Sequence, residues 1–219
     1  MRRGDEGKIQ TMAEELITLG KPGTGELTEK KSVFIADALP IENEEEAVAF
    51  IASVRKKYSD CRHCAYAYML SGKGIMRYSD DGEPQGTAGL PILDIIRKSG
   101  FDNAVITVIR YFGGILLGTG GLVRAYSSAA ALAVKDAGIV IYREHTLFSV
   151  TVTYQDYAKL TRFFEGKKIL SSRFDSSVVL EIAVLNADAE AFLSSLTELT
   201  SARATVENVG KQLIKDDLG

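Results

Sequence analysis

The sequence predicts an α+β protein built from two domains. Apolar residues alternate between strand spacing and helix spacing along most of the 219-residue chain. Glycine is concentrated over residues 72–121, which hold 11 of the chain's 20 glycines. The strand and helix pattern restarts after Arg143. These observations predict a flexible leader over 1–24, an N-terminal domain over 25–143 and a C-terminal domain over 146–219.

The leader is predicted because residues 1–24 are polar and show no sustained period. Met12 is a candidate natural start, in which case residues 1–11 would be dispensable.

The N-terminal domain is predicted to alternate strands with three helices. The predicted strands are 26–36, 65–70 and 104–112. The predicted helices are one that carries Ala47, Phe50, Ile51, Val54 and Tyr58, one that ends at Gly100, and one over 122–137 that is closed by Gly138.

The C-terminal domain is predicted to have the element order β-α-β-β-α-β, which is typical of a ferredoxin-like domain. Its predicted elements are strand 146–154, helix 156–166, strands 168–174 and 177–185, helix 188–200 and strand 203–209. The buried face of the second helix is predicted to consist of Ala191, Leu193, Leu196 and Leu199.

Charge and composition exclude some classes of function. The chain has 26 basic and 29 acidic residues, a formal charge of −3, which disfavours generic DNA binding. No apolar run approaches the roughly 20 residues of a membrane-spanning helix, so we expect no membrane partner. Cys61 and Cys64 form a single C-x-x-C before a predicted strand, which favours incidental, reduced cysteines in a cytoplasmic protein.

The strongest motif is a glycine-rich segment between a strand and a helix. Such a segment exposes backbone N–H groups at the positive end of the helix dipole, which suits an anion. The predicted anion-binding or RNA-binding residues are Arg110, Gly113, Gly114, Gly118, Thr119, Gly120, Gly121 and Arg124. The alternative is that the glycines only permit a tight turn and close packing, while both arginines pair with Asp80, Asp81 or Glu83.

Catalytic chemistry has weaker support. The glycine-rich segment matches neither a Walker loop nor a dinucleotide fingerprint. Asp80, Asp81 and Glu83 could hold Mg²⁺ with His63 as a base, but Asp-Gly and Glu-Pro are also ordinary turn sequences. We therefore predict no metal, no cofactor and no catalytic residue, and keep those four residues as the enzymatic alternative.

Two further features have structural explanations. Thr87 is predicted to cap the helix that follows it. An aromatic-rich set at strand spacing is typical of a core, with base stacking as the minor alternative; its members are Tyr66, Tyr68, Tyr111, Phe112 and Tyr126.

Three motifs together resemble the signature of the YigZ/IMPACT family. They are K-K-S-x-F-I-A at 30–36, Y-S-D-D-G-E-P-x-G-T-A-G-x-P-I at 78–92 and R-Y-F-G-G-x-x-L-G-T-G-G-L-V-R-A-Y at 110–126. The resemblance implies an N-terminal domain like the second domain of small-subunit ribosomal protein five. It also implies a C-terminal domain like the last domain of elongation factor G.

Both likenesses point to the translation machinery. Eukaryotic relatives act by protein contact, competing for the activator of a kinase that senses uncharged tRNA, but they carry a different additional domain. The resemblance brings no established enzymatic activity. We predict a non-enzymatic translation regulator that contacts ribosomal RNA or a ribosome-associated protein through its glycine-rich face. The alternatives are a Mg-dependent enzyme acting on a nucleotide or phosphorylated small molecule, and a protein-binding module without RNA contact.

Overall fold

The computed structural model describes residues 15–216, which form two compact units. Residues 16–141 are called here the N-terminal unit, and residue 15 with residues 142–216 the C-terminal unit. Both units mix helices and strands, as predicted. The candidate start at Met12 and the expected leader up to residue 14 lie outside the described residues. Within residues 15–216, no helix is both long enough and apolar enough to cross a membrane.

Strands and helices follow one another through the N-terminal unit. The strands are β1 (Glu15–Leu19), β2 (Gly23–Glu29), β3 (Ser32–Pro40), β4 (His63–Leu70), β5 (Ile75–Ser79) and β6 (Asn103–Tyr111). The helices are α1 (Glu44–Lys57), α2 (Gly89–Lys98) and α3 (Gly118–Ala137). The main sheet has the order β2-β3-β6-β4-β5, and each neighbouring pair is antiparallel.

Helices pack on both faces of this sheet. The α2 and α3 helices cover one face, where Phe34, Ile106 and Val108 belong to the same buried cluster as Ile92 and Tyr126. The α1 helix covers the other face through side chains that include Ala47, Ile51 and Val54. Because both faces of β6 are covered, seven consecutive residues of that strand are buried.

The expected leader is wrong over residues 15–24, where β1 and the start of β2 form. Thr18 pairs with Asn103 of β6 in parallel register, and its hydroxyl donates to the Asn103 carbonyl at 2.8 Å. The Ile17 N–H donates to the Asp102 carboxylate at 2.8 Å. These partners lie 85 residues away in sequence, so the local pattern gave no sign of the strand.

The single strand predicted over 26–36 is a hairpin. Glu29 pairs with Ser32, which leaves Lys30 and Lys31 as a two-residue turn with φ of 45° and 66°. The apolar alternation passes through the turn because each arm keeps the period of two.

The α3 helix packs directly on the backbone of β2. A Cβ atom on Gly23 would lie 2.3 Å from the Ala133 carbonyl oxygen, and one on Gly25 would lie 2.6 Å from the Ala133 nitrogen. Ala129 and Ala137 on the same side of α3 are also buried, so small residues face small residues. This contact brings the hairpin and α3 together.

The C-terminal unit has the predicted element order. Its elements are β7 (Ile139–Val152), α4 (Tyr154–Phe164), β8 (Lys168–Phe174), β9 (Val178–Leu185), α5 (Ala189–Thr200) and β10 (Thr205–Lys215). They form an antiparallel sheet in the order β10-β7-β9-β8. The apolar faces of α4 and α5 join the core of this sheet through Leu160, Phe164, Phe192 and Leu196.

Some predicted details of this unit are wrong. The β7 strand begins at residue 139 rather than 146, and β10 continues to residue 215 rather than 209. Leu199 is 54% exposed and Ala191 is exposed, whereas Phe192 is buried. The buried stripe of α5 therefore runs through Phe192, Leu196 and Thr200, which are spaced by four.

We expect Gly25→Ala to destabilise the N-terminal unit by about 1–3 kcal/mol, since the added methyl group would overlap α3. Gly72→Ala is the control, because a Cβ atom there would meet no atom within 4 Å. Urea denaturation of the two full-length variants measures the difference. Equal stabilities would contradict the close contact between β2 and α3.

A second prediction concerns the pH dependence of the C-terminal unit. The hydrogen bond from Arg203 lowers the pKa of the buried Asp156 carboxyl from its ordinary value of 3.8. The ionised carboxylate therefore stabilises the fold above about pH 3.8, and this stabilisation is lost as the pH falls through the lower pKa of the folded state. We expect Asp156→Asn to unfold at a lower temperature than the wild type at neutral pH, with a difference that shrinks below pH 3.8.

Thermal unfolding of the full chain over a pH series checks this, with the exposed Asp188→Asn as control. A difference that stays constant across the series would show that the Asp156 charge contributes nothing.

Candidate functional site

The loop between β5 and α2 is organised by Asp80. Its Oδ1 accepts from the N–H groups of Ala88 at 3.0 Å and Gly89 at 2.8 Å, and its Oδ2 accepts from the Gly86 N–H at 2.8 Å. The carboxylate thus satisfies N–H groups at the start of α2. The predicted capping role of Thr87 is wrong, because its hydroxyl donates to the Pro84 carbonyl at 2.6 Å.

Asp81 and His63 are joined by internal hydrogen bonds. The Asp81 carboxylate accepts from Arg55 Nη2 and from the Cys64 N–H, each at 2.7 Å. His63 Nδ1 lies 2.7 Å from the Asp81 carbonyl oxygen. Since a carbonyl only accepts, Nδ1 carries a proton there.

Glu83 forms the centre of a buried network with Arg110 and Tyr126. Arg110 Nη1 lies 2.8 and 3.1 Å from the two carboxylate oxygens of Glu83, and the Tyr126 hydroxyl donates to Oε1 at 2.8 Å. The side chains of Arg110 and Glu83 are only 8% and 4% exposed. Burial and the neighbouring Glu83 charge raise the pKa of Tyr126, so its hydroxyl remains a donor. The network ties the loop after β5 to the end of β6 and to α3.

This network corrects the prediction that Arg110 contacts phosphate. The Arg110 guanidinium carbon lies 5.5 Å from the centre of the Phe34 ring and 5.4 Å from that of Phe112, so aromatic rings and Glu83 surround the charge. Arg110 instead forms an ion pair with an acidic residue of the loop after β5, as the alternative hypothesis predicted.

The residues of the enzymatic alternative do not assemble a metal site. The carboxylates of Asp80, Asp81 and Glu83 accept hydrogen bonds from different donors of the protein itself. Among residues 15–216, no group of three or more His, Cys, Asp or Glu side chains could hold a metal ion.

The predicted glycine-rich loop is largely the first turn of α3. Gly118, Thr119, Gly120 and Gly121 are helical, so the helix starts four residues before the predicted position. No side chain caps this end, and its first turn contains no acidic residue. Residues 118–120 are exposed, so the backbone N–H groups of this turn are accessible and have no side-chain partner at the cap.

Arg124 lies at the surface beside this turn, apart from the buried Arg110. Its Nη1 is 3.7 Å from the place that a Cβ atom would take on Gly120. Arg124 and Glu29 are among the residues that line a hollow of about 240 Å³ between β2 and α3. No hydrogen bond or ion pair joins Arg124 to any other residue within 15–216. Gly113, Gly114, Gly118–Gly121 and Arg124 are called here the glycine-rich face.

An exposed apolar loop overlaps this face at Gly113 and Gly114, and sequence reasoning missed it. The apolar loop, residues 112–117, exposes 52% of Phe112, 43% of Ile115 and 83% of Leu116. Gly114 begins the loop's turn with φ of 81°, a value that suits glycine. The available signal was a run of apolar residues bounded on both sides by glycine.

The remaining candidates are structural. Tyr68 and Tyr126 are buried, as a core role predicts, and Tyr66 stacks on Tyr68 at 6.3 Å between ring centres. Both cysteines are free thiols, and burial raises the pKa of Cys64 to about 11. A thiol with this pKa is poorly nucleophilic at neutral pH.

The chain is similar to known proteins over both units. Residues 30–134 match the Impact N-terminal domain, and residues 150–203 match a domain of unknown function, DUF1949. An IMPACT family member of Haemophilus influenzae is 38% identical over 81% of this chain and 89% of its own length. The IMPACT family member YigZ of Escherichia coli is 33% identical over 78% of this chain and 86% of its own length.

Two further proteins are similar to part of the chain or to most of it. Protein IMPACT of Oryctolagus cuniculus is 29% identical over 42% of this chain and 30% of its own length. A solved structure titled as a hypothetical protein is 30% identical, with a TM-score of 0.58, and covers 90% of this chain and 98% of that one.

Removing one partner of the buried network should destabilise the protein strongly. We expect Glu83→Gln or Arg110→Met each to cost about 3–5 kcal/mol, since the other charge stays buried without its partner. The double variant Glu83→Gln/Arg110→Met should cost less than the sum of the two single changes.

Lys21→Gln is the control, because its ion pair with Asp136 is largely exposed and should contribute about 0–1 kcal/mol. Chemical denaturation measures all four proteins. Additive single and double changes would contradict direct coupling between Glu83 and Arg110.

Proposed function

This chain belongs to the IMPACT family, and from that membership together with its glycine-rich face we propose that it is a regulatory protein of translation that binds RNA. We place its action in the cytoplasm, on the ribosome or on an RNA associated with it. The single observation that carries the proposal is the uncapped, exposed start of α3 with an unpaired arginine beside it.

The electrostatics of this helix end favour an anion. The first turn of α3 presents N–H donors and the positive end of the helix dipole. Arg124 adds a positive charge six residues into the helix, which the dipole alone disfavours. An oxygen anion held between the N–H groups and the guanidinium offsets both positive contributions. RNA phosphate supplies such an anion repeatedly along a chain.

The affinity we propose is local and modest. The chain carries a formal charge of −3, so long-range attraction to a polyanion is weak. Binding must then come from a few positioned contacts, and a small number of ionic contacts gives a shallow dependence on salt concentration.

The fold likenesses supply the link to translation. The proposed domains are residues 25–143, resembling the second domain of small-subunit ribosomal protein five, and residues 146–219, a ferredoxin-like domain resembling the last domain of elongation factor G. Support for the second comes from the β-α-β-β-α-β order and the strand order β10-β7-β9-β8. Both likenesses concern proteins that work on the ribosome.

A protein-binding module without RNA contact is the second candidate. The 83% exposure of Leu116 in the apolar loop favours it, since exposed apolar residues in a cluster mark protein contacts. Such binding would survive nuclease treatment and would depend on Leu116 more than on Arg124.

We expect Arg124→Gln to weaken co-sedimentation with ribosomes and to reduce the salt slope of binding, log K against log salt, by about 0.7–0.9 for one lost phosphate contact. Arg97→Gln is the control, because Arg97 is also an exposed helical arginine. Arg110 is left intact, since its loss would disturb the buried network.

Two results would count against the proposal. Wild-type protein that fails to sediment with ribosomes at low salt would exclude direct ribosome binding. Equal binding by Arg124→Gln and Arg97→Gln would move the contact away from the glycine-rich face.

A further inference from the structure

Two unpaired lysines form the end of the β2–β3 hairpin, called here the hairpin tip, residues 29–32. Lys30 and Lys31 occupy the turn between the paired residues Glu29 and Ser32, and both are exposed. Their positive φ values belong to turn positions that asparagine and glycine usually fill. Neither ammonium group has a hydrogen bond or an ion pair within residues 15–216. The turn therefore presents two positive charges that have no partner in the described chain.

The hairpin tip contacts the glycine-rich face at Gly113. The Gly113 N–H donates to Ser32 Oγ at 3.1 Å. A Cβ atom on Gly113 would lie 2.0 Å from the Lys31 carbonyl carbon, so only glycine permits this approach. The backbone of Lys31 therefore lies next to Gly113, the residue that follows Phe112.

The hairpin tip also borders the surface that contains Arg124. Glu29 lines the same hollow as Gly121 and Arg124. This places Lys30, Lys31 and Arg124 on neighbouring elements, while β2 contributes the exposed acidic residues Glu26 and Glu29. Three positive charges against two negative charges leave a local excess of one positive charge on a chain whose formal charge is −3.

A half-exposed aromatic ring directly precedes Gly113, the residue that contacts the hairpin tip. Phe112 is 52% exposed, and the Arg110 guanidinium lies 5.4 Å from its ring centre. The buried Arg110 therefore supports the ring from the protein side, while the exposed part is open to a partner. A flat, exposed ring on a segment that contacts the basic hairpin tip suits an unpaired base, because every base has a π face and its neighbouring phosphates need positive charge.

Building on the proposed function, we propose that the occupant of this surface is single-stranded RNA, with phosphates on Lys30, Lys31 and Arg124 and one base stacked on Phe112. A duplex keeps its bases stacked inside and would leave Phe112 unused. An acidic peptide would satisfy the lysines and Arg124 but has no need for a flat ring. The combination of ring and cations therefore favours unpaired RNA over both.

The experiment measures binding by fluorescence anisotropy of the full chain. The probes are a short labelled RNA without self-complementarity, the same RNA annealed to its complement, and a labelled glutamate-rich peptide. Lys30→Gln/Lys31→Gln removes the charges and keeps a non-glycine turn, with Lys56→Gln/Lys98→Gln as the control that removes the same charge from exposed helical lysines. Lys30→Asn/Lys31→Gly removes the charges and relaxes the turn, so it separates binding from folding.

We expect both hairpin-tip variants to bind single-stranded RNA more weakly and to reduce the salt slope, log K against log salt, by about 1.4, which is two contacts at 0.7 each. Phe112→Ala should lose roughly 5- to 150-fold in affinity for single-stranded RNA, while Phe112→Trp keeps the wild-type affinity. Phe174→Ala, at a half-exposed phenylalanine of the C-terminal unit, should leave the affinity unchanged.

The outcomes separate this inference from the proposed function. If Arg124→Gln weakens RNA binding and the changes at Lys30, Lys31 and Phe112 do not, the proposed function stands and this inference is wrong. Equal affinity for duplex and single strand, or tighter binding of the acidic peptide than of RNA, would also overturn it. If no RNA binds the wild type, both proposals fall.

Discussion

The buried ion pair between Glu83 and Arg110 is the interaction on which the N-terminal unit depends. It joins the loop after β5, the end of β6 and, through the Tyr126 hydroxyl, the helix α3. Two charges removed from water are tolerated only with good geometry and further hydrogen bonds. The bond from Tyr126 and the nearby rings of Phe34 and Phe112 supply part of that compensation. The orientation of the strand end before the glycine-rich face is set by this requirement.

Two glycines allow the segments around that strand end to pack closely. Gly113 lets the hairpin tip approach the β6–α3 connection, and Gly25 lets β2 lie against α3. In both places the missing side chain allows contact between backbones, which fixes distances more narrowly than contact between flexible side chains. The same close packing that stabilises the unit therefore holds the hairpin that carries Lys31 against the helix that carries Arg124.

The residues that stabilise the fold and the residues available for binding differ from those that the motif suggests. The loop with two aspartates and a glutamate is saturated with internal hydrogen bonds, and its role is to hold α2, β6 and α3. Exposed groups without partners in the described chain include those at the start of α3, Arg124 and the hairpin tip. Since a binding surface needs groups that are free in the unbound protein, function is assigned to this second set.

The sequence by itself determined the type of most elements, the order of elements in the C-terminal unit and the family, because these depend on local periodicity and contiguous motifs. Tertiary structure alone decided the fate of Arg110, whose partner lies 27 residues away; in sequence, an arginine that binds phosphate and one that is buried with Glu83 look alike. The sequence also did not reveal strand β1 or the exposure of Phe112, because both depend on residues that are distant in the chain. Pairing and burial are set by residues distant in the chain, and no local pattern records which of them will meet.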